Sequence, residues 1–335
     1  MRGAKEDMKI VISDYADSMM PTHEYEKQVL TTGLGNCEVV VHEYQEEYRE
    51  QFFEVIRDAD ALLTAFIKID GEVMDYAPNL KVISINATGY DNVDLAEANK
   101  RGIGVCPVGE YCTDDVAEFA LTAITALVKN LKGYIQSVDQ QHQWRYDVLP
   151  PNPRIEEQTL GIIGFGKIGK AVARRAKALG MTVIACDPFI DQSSGDSLGV
   201  NLVTATDIFV EADIVTNHMN LNETNMAYFD YACFKKMIRR PYFINMGRGP
   251  CVVETDLIRA LQEGLLKGAA LDVLADETPD LANHPLANRA NVILTPHAAF
   301  YSQTSITELQ RISTQNIVHY LRGEKKQVFK LVSDH

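Results

Sequence analysis

A glycine-rich segment between an apolar run and an amphipathic stretch constrains the fold of this chain more than any other feature. Residues 164–169 read GFGKIG and have the GxGxxG spacing, directly after a strand-like run and before a helix-like stretch that ends at Gly180. In such a strand, turn and helix, Gly164 permits the tight turn, Gly166 lets a pyrophosphate approach the backbone, and Gly169 lets helix and strand pack closely. The segment therefore predicts a dinucleotide-binding βαβ unit.

The next strand-like run ends in an acidic residue that favours NAD over NADP. Asp187 follows Gly169 by 18 residues (187 − 169), close to the spacing of about 20 residues at which a carboxylate binds the ribose hydroxyls. Residues 187–191, DPFID, contain no Arg or Lys, so a 2′-phosphate would meet negative charge without a counter-ion. The alternatives are a tight βα turn without a cofactor and a solvated acid at a strand end, and the joint pattern favours an NAD site.

Short β-branched runs alternate with helix-like stretches, and this alternation predicts two α/β domains. The 335 residues exceed the size at which a single hydrophobic core stops growing, roughly 250–300 residues. Helices supply the long crossovers that parallel strands need, so each series of runs predicts a parallel sheet. The pattern also predicts one long helix over 113–138 and a C-terminal helix over 302–324. The strand-like runs are 9–14, 37–44, 59–66, 80–86 and 103–108, then 159–165, 181–187, 213–219, 242–247, 268–274 and 291–298.

The composition is that of an ordinary globular protein and narrows the classes of partner. A formal net charge of −14 repels nucleic acid and anionic lipid, so we expect neither as a partner and expect local cations to hold a small anionic substrate. The sequence has no signal-peptide pattern and no run of roughly 18 apolar residues. Its six cysteines form no CxxC pair, so we expect a soluble, cytoplasmic protein with reduced thiols and no metal.

Three polar residues follow strand-like runs of the second series and together suit the reduction of a 2-oxo acid. They are Arg248 in NMGRG, Glu277 after ALDVLAD and His297 in TPHAA. Ligands of open parallel sheets bind beyond the carboxyl ends of the strands, so we expect these side chains to meet in one crevice. Arg248 can hold a carboxylate at two points, His297 can donate a proton, and Glu277 can keep the imidazole charged. Each residue alone is more often structural, and only their combination predicts catalysis.

The order and spacing of these motifs resemble a known family. GFGKIG, the Asp187 strand end, NMGRG, ALDV, a following Glu and TPHAA are similar to the D-isomer-specific 2-hydroxyacid dehydrogenases over nearly the whole chain. The resemblance implies an NAD-dependent homodimer that interconverts a 2-oxo acid and its (R)-2-hydroxy acid. It also implies two Rossmann-like domains with parallel sheets: a flavodoxin-like substrate domain, residues 1–107 and 299–335, and an NAD-binding Rossmann domain, residues 108–298, inserted within it.

The resemblance also assigns residues to the substrate and the cofactor. The segment ATGYDNVDL, residues 87–95, resembles the family's substrate-carboxylate loop, which implies backbone contacts from residues 88–90. Asp272 is expected to hold the nicotinamide amide, and residues 218–220 are expected to line the adenosine side. The predicted cofactor site is Gly164, Gly166, Lys167, Ile168, Gly169, Asp187, His218, Met219, Asn220, Met246, Gly247, Asp272 and His297, and the predicted substrate site is Thr88, Gly89, Tyr90, Arg248 and Phe300.

One departure from the family pattern concerns the carboxylate that is expected to act on the catalytic histidine. The family commonly has Glu followed directly by Pro, whereas this chain has Thr278 between Glu277 and Pro279. The spacing from Asp272 selects Glu277, and Asp276 is the alternative.

A second set of similarities leaves other functions open. HMNLNET and TPHAAFYS are most similar to the C-terminal-binding-protein branch, which has Trp where this chain has Phe300. An NAD(H)-sensing scaffold or corepressor-like protein with little turnover is therefore an alternative function. Phosphite oxidation is a third, whereas Glu277 argues against formate oxidation, because that branch presents Gln at this position. Phe300 and Tyr301 predict either an aromatic wall of the substrate pocket or packing between the domains.

Overall fold

The structure is a computed structural model, and it describes residues 8–20, 22–276 and 278–334. The chain divides into two compact units, one formed by Met1–Tyr111 with Ser302–His335 and the other by Cys112–Tyr301. The second unit begins at 112 and ends at 301, whereas the family resemblance implies an NAD-binding domain over 108–298. Within the described ranges, no helix is both long enough and apolar enough to cross a membrane.

The strands and helices alternate as the hydrophobic pattern predicts. In chain order they are β1 (Met8–Tyr15), α1 (Glu24–Leu34), β2 (Cys37–Tyr44), α2 (Arg49–Ile56), β3 (Ala61–Thr64), α3 (Gly71–Tyr76), β4 (Val82–Ile85), α4 (Leu95–Arg101), β5 (Gly104–Pro107), α5 (Thr113–Val128), α6 (Leu131–Asp139), β6 (Thr159–Ile163), α7 (Lys167–Ala178), β7 (Thr182–Cys186), α8 (Gln192–Asp196), β8 (Asn201–Leu202), α9 (Ala205–Glu211), β9 (Ile214–Asn217), α10 (Tyr231–Lys236), β10 (Tyr242–Asn245), α11 (Glu254–Gln262), β11 (Gly268–Leu271), β12 (Val292–Leu294) and α12 (Gln303–Leu321).

The first unit contains a five-stranded parallel sheet in the order β2-β1-β3-β4-β5. This is the flavodoxin-like order, in which the chain starts near the middle of the sheet and reverses direction once. The strands β3, β4 and β5 are buried along their whole length, which explains why they are continuous apolar runs in the sequence. Helix α12 returns to this unit, where Ile317 packs with Ile10 and Ile12 of β1.

The second unit contains a seven-stranded parallel sheet in the order β12-β11-β10-β9-β6-β7-β8. Read from β8, this is the Rossmann order with one further strand, so the predicted fold class is confirmed. Apolar residues of α5 and α7 belong to one core cluster, and those of α9, α10 and α11 belong to another. The strand order reverses between β6 and β9, where a doubly wound sheet opens its binding crevice.

The prediction of a single helix over 113–138 is wrong at one point. Helix α5 ends at Val128, Asn130 adopts a left-handed conformation with φ 54°, and α6 begins at Leu131. The side chain of Asn152 donates to the Val128 carbonyl at 3.0 Å, and that of Asn130 donates to the Pro150 carbonyl at 2.9 Å. Contacts with the 149–158 loop therefore end the helix at a place where the apolar periodicity continues.

Candidate active site

The loops at the carboxyl ends of the strands of the second unit carry most of the predicted site residues. Strands two places apart in a sheet are separated by roughly 10 Å. The loop of His297 after β12 and the loop of Arg248 after β10 therefore lie close enough to act on one small molecule. In spatial order the loops are 295–301 after β12, 272–276 after β11, 246–249 after β10, 218–220 after β9, 164–166 after β6 and 187–189 after β7.

The glycine turn after β6 has the three properties that its spacing predicts. Gly164 has φ 91°, and a Cβ on it would lie 2.7 Å from the backbone nitrogen of Met219. A Cβ on Gly169 would overlap the carbonyl oxygen of Gly164, so helix α7 can approach the strand only with glycine there. A Cβ on Gly166 would meet nothing within 4 Å. The space over Gly166, at the first turn of α7 with Lys167 and Ile168, is therefore open to a ligand.

Asp187 joins the end of β7 to this turn. Its Oδ2 accepts a hydrogen bond from the backbone N–H of Phe165 at 2.9 Å, and its Oδ1 accepts one from Phe189 at 2.9 Å. The carboxylate is thus fixed beside the glycine turn, where a ribose would be expected. The Phe189 side chain next to it is 86% exposed.

His218 lies behind the glycine turn, after β9. Its Nε2 is 2.9 Å from the Thr216 hydroxyl, and its Nδ1 is buried without a hydrogen-bond partner among the residues that the structure describes. Burial lowers the pKa of His218 to about 4, so the ring is neutral near pH 7. The neighbouring Met219 is partly buried, and Asn220 is exposed with its carbonyl accepting from the Asn225 side chain at 2.6 Å.

Two buried asparagines, which the sequence reasoning did not identify, join the loops after β9 and β10. Asn217 Nδ2 donates to Asn245 Oδ1 at 2.9 Å, and neither residue is more than 1% exposed. Asn217 Oδ1 accepts from the Met219 N–H at 3.1 Å, while Asn245 Oδ1 also accepts from the Gly247 N–H at 3.1 Å. Asn245 Nδ2 donates to the Arg248 carbonyl at 3.1 Å. Their only signal in the sequence is an amide at the last position of an apolar strand.

Arg248 is half-buried in the loop that this asparagine pair holds. Its Nη1 donates to the Gly247 carbonyl at 2.8 Å, and the preceding Met246 is buried. A Cβ on Gly249 would overlap the carbonyl of Leu274, so the Arg248 loop lies directly against the loop after β11. The guanidinium is therefore carried on a backbone that is fixed from both sides.

Glu277, the carboxylate expected after β11, lies outside the described residues. Asp276, the alternative, is exposed, and its Oδ1 accepts from the N–H of Thr278 at 2.9 Å. The Ala275 N–H donates to Glu254 at 2.6 Å, which ties this loop to the start of α11.

Asp272 holds the loop that carries His297. It is 2% exposed, and its carboxylate accepts from the Thr295 hydroxyl at 2.6 Å and from the N–H groups of Ala298 and Ala299 at 2.9 Å each. The His297 N–H also donates to the Asp272 carbonyl at 2.8 Å. His297 has φ 51°, a conformation that non-glycine residues seldom adopt. The Asp272 carboxylate accepts three charge-assisted hydrogen bonds from this loop, which explains how His297 keeps its positive φ. The expected contact of Asp272 with the nicotinamide stays a prediction.

Phe300 borders His297 in the same loop. The two rings lie edge to face with centroids 6.1 Å apart, and Phe300 also packs against the core of the second unit. Tyr301, by contrast, is 71% exposed. Phe300 is therefore one wall beside the imidazole, as a substrate-side residue would be.

The remaining predicted residues, Thr88, Gly89 and Tyr90, follow β4 in the first unit. The Val108 N–H donates to the Ala87 carbonyl at 3.0 Å, and the Thr88 hydroxyl donates to the Gly109 carbonyl at 2.9 Å. These bonds hold the 87–90 segment at the carboxyl edge of the five-stranded sheet.

The edge of the second unit fits a dinucleotide. The open space over Gly166 lies at the start of a twelve-residue helix, whose N-terminal N–H groups favour an anion. Asp187 offers a carboxylate at the end of the next strand, and the buried Nδ1 of His218 has no partner within the described residues. These are the features that a pyrophosphate, a ribose and a polar adenosine group would use.

Comparisons with known proteins show what the chain is similar to. The family described as D-isomer specific 2-hydroxyacid dehydrogenase, NAD binding domain, matches residues 121–299. A glyoxylate reductase of Thermofilum pendens is 36% identical, over 86% of this chain and 86% of its own length. The solved structure of a D-2-hydroxyisocaproate dehydrogenase is 25% identical with a TM-score of 0.82, over 97% of this chain and 100% of that chain.

A further solved structure supports the fold alone. The D-lactate dehydrogenase of Aquifex aeolicus, in complex with NAD and lactic acid, is 24% identical with a TM-score of 0.83. The match covers 97% of this chain and 99% of that chain.

Proposed function

The chain belongs to the D-isomer-specific 2-hydroxyacid dehydrogenase family, and we propose that Arg248, Glu277 and His297 are its catalytic residues. It is an NAD-dependent oxidoreductase that reduces a small 2-oxo acid to the 2-hydroxy acid, with the D, or (R), configuration expected of the family. The observation that carries the assignment of residues is the fixed order of loops along one sheet edge, with Arg248 and His297 on either side of the Asp272 loop.

The residues divide the chemistry between them. Arg248 holds the substrate carboxylate at two points and so orients the oxo carbon, which matters in a protein with a formal charge of −14. His297 gives its proton to the oxo oxygen as the hydroxyl forms and takes it back in the reverse direction. Glu277 favours the protonated imidazole, and Asp272 fixes the backbone from which the imidazole extends. Bound NADH supplies the hydride that reduces the oxo carbon.

Other residues hold the cofactor and the substrate. Gly166 and the start of α7 receive the pyrophosphate, and Asp187 receives the adenosine ribose hydroxyls, which favours NAD over NADP. We assign the N–H groups of residues 88–90 to binding of the substrate carboxylate. Phe300 contacts the substrate side chain.

The alternative function, an NAD(H)-sensing scaffold with little turnover, is not favoured. The relatives described above are reductases and dehydrogenases, and Arg248 and His297 are present on the expected loops. A turnover assay separates the two functions. NADH oxidation at neutral pH is followed with pyruvate, glyoxylate, hydroxypyruvate, 2-oxoisocaproate and phenylpyruvate, and the product is analysed by chiral chromatography. We expect clear turnover, with a single (R) product from each acid except glyoxylate, whose product is achiral. NADH binding without turnover of any acid would favour the scaffold.

We also propose that the enzyme is a homodimer. Helix α6 presents an apolar stripe at Leu131, Ile135 and Val138, which are 51%, 50% and 39% exposed. Trp144 and Tyr146, in the loop that follows, are each 89% exposed. An apolar surface of this kind is typical of a contact between protein chains. Light scattering should give twice the chain mass, and a monomer would contradict the proposal.

The cytoplasm is the expected compartment. The six cysteines are free thiols in the structure, and a reducing compartment preserves such thiols.

A further inference from the structure

A cavity lined by both polar and apolar side chains lies at the carboxyl edge of the five-stranded sheet, within the first unit. It has a volume of about 250 Å³ including its open mouth, with interior room for roughly one water-sized group. Its walls include Asp14 at the end of β1, Thr64 at the end of β3, Asn86 after β4 and His23 immediately before α1. None of these residues has a role in the function proposed above.

Two polar atoms of this wall lack partners. His23 Nε2 and Asn86 Oδ1 are buried and have no hydrogen-bond partner within the described part of the chain. Native structures seldom leave buried polar atoms unpaired, so each of these atoms is open to a hydrogen bond from water or from a ligand group. Both atoms belong to residues that line the same cavity.

The surroundings specify the chemistry of that group. His23 Nδ1 is 3.2 Å from Glu26 Oε1, and the Glu26 side chain is 1% exposed. The Nδ1 proton therefore faces Glu26, which leaves Nε2 as an acceptor when the ring is neutral and as a donor when it is charged. Asn86 Oδ1 only accepts. A hydroxyl has one proton, so it pairs with both atoms when it accepts from the charged ring of His23 and donates to Asn86. Beside the neutral ring it donates to one of the two acceptors.

The carboxylate of Asp14 excludes an anion from the same cavity. It is 6% exposed and accepts from the N–H groups of Ala65, Phe66 and Tyr15. The oxygens are thus occupied by backbone donors, and their negative charge repels a second carboxylate. A neutral hydroxyl meets no such repulsion.

The cavity adjoins the segment expected to bind the substrate carboxylate. The Asn86 N–H donates to the Thr64 carbonyl at 2.8 Å, which extends the pairing of β3 and β4 to Asn86. Thr88 follows two residues later, a distance of at most about 7 Å along the backbone. A 2-oxo acid held at residues 88–90 can therefore extend a short side chain to the cavity.

We propose that this cavity is a specificity subsite that binds a hydroxyl on the side chain of the substrate. The proposal rests on the function proposed above. The enzyme then prefers hydroxylated 2-oxo acids to apolar acids of the same shape. A hydroxyl that replaces water in the cavity pairs with His23 or Asn86, or with both when the ring is charged, whereas a methyl group pairs with neither.

Two isosteric pairs of substrates test the preference without any mutation. Hydroxypyruvate is compared with 2-oxobutyrate, and 4-hydroxy-2-oxobutyrate with 2-oxopentanoate, by kcat/KM with NADH. We expect the hydroxylated acid to be favoured by about tenfold or more in at least one pair, which is the gain expected from one or two hydrogen bonds. A ratio near one, or a preference for the apolar acid, in both pairs would overturn the subsite. Absence of turnover with all four acids would instead count against the proposed function.

A variant locates the preference in the cavity. Asn86→Leu removes the acceptor and fills its place with an apolar side chain of similar size, so the ratio of the favoured pair should fall to about one. Asn79→Leu, at an exposed position of the same unit, is the matched control and should keep the parent ratio. If Asn86→Leu retains the full preference, the hydroxyl binds elsewhere. If this variant does not fold, His23→Gln, which keeps a donor toward Glu26, should reduce the ratio instead.

Discussion

Substitution of Gly166 by alanine should separate cofactor binding from folding. Gly166 has φ −71°, and a Cβ on it would meet no atom of the chain within 4 Å. The added methyl group reduces the freedom of the unfolded chain, which stabilises by about 0.4–1 kcal/mol. Alanine is also a poorer N-cap than glycine, which costs a similar amount. The free energy of unfolding should therefore change by less than about 1 kcal/mol.

The same methyl group stands where the pyrophosphate would approach the backbone. Loss of two charge-assisted hydrogen bonds, at about 1.5 kcal/mol each, weakens binding by about 3 kcal/mol, or more than a hundredfold in Kd. The affinity is measured by titration of NADH fluorescence, and the stability by thermal denaturation without NADH. Parent-like NADH affinity in a stable Gly166→Ala protein would refute the assigned pyrophosphate site.

Two further glycine variants calibrate this result. Gly169→Ala places a Cβ against the carbonyl oxygen of Gly164, so both stability and NADH affinity should fall. Gly71→Ala, in the first unit, meets the Glu97 and Arg101 side chains at ordinary contact distance and should change neither stability nor NADH affinity.

The remaining predictions concern three polar residues of the second unit. Asp187→Ala should weaken NADH binding and narrow the preference for NADH over NADPH, and equal Kd values for the two cofactors in the parent protein would contradict the assignment. Asp272→Asn loses the charge that binds two N–H groups and a hydroxyl of the His297 loop, so kcat/KM should fall by about tenfold or more. Parent-like kinetics would show that these hydrogen bonds are dispensable. Burial lowers the pKa of His218 to about 4 in the folded protein, against about 6.5 in the unfolded chain. The contribution of His218 to the free energy of unfolding is therefore fully present above pH 6.5 and is lost as the pH falls to 4. This loss is about 3 kcal/mol, and urea denaturation should show a flatter pH dependence for His218→Gln; identical profiles would exclude His218 as its source.

The sequence predicted the parts of the structure that depend on local pattern. The parallel sheet of the second unit follows from alternating apolar runs, and the glycine turn follows from GFGKIG, because backbone conformation and close approach admit few other residues. The strand order of this sheet does not follow from the alternation. The break at Asn130 was not predictable in this way. It depends on hydrogen bonds from the side chains of Asn130 and Asn152, which become neighbours only in the folded unit.

In the candidate site, too, features that depend on local pattern could be predicted, and features that depend on contacts in the folded unit could not. Strand ends located Arg248 and His297, because loops at the carboxyl edge of a parallel sheet collect the polar groups. The asparagine pair, Asn217 and Asn245, was missed, since a single amide at the end of an apolar strand does not reveal its partner on the next strand. The hydrogen bonds by which Asp272 holds the His297 loop were missed for a similar reason, because the partners of Asp272 lie 23 to 27 residues further along the chain.

The central claim is that His297 donates the proton during reduction, and its replacement by asparagine tests this most directly. Asparagine tolerates the positive φ of 51° at this position, so the variant keeps the loop and removes only the acid. Steady-state NADH oxidation with the best 2-oxo acid gives kcat, and titration gives the Kd for NADH. We predict that kcat falls by about a hundredfold or more while the Kd stays within about threefold of the parent value. A kcat close to that of the parent would contradict the assignment of His297 as the proton donor.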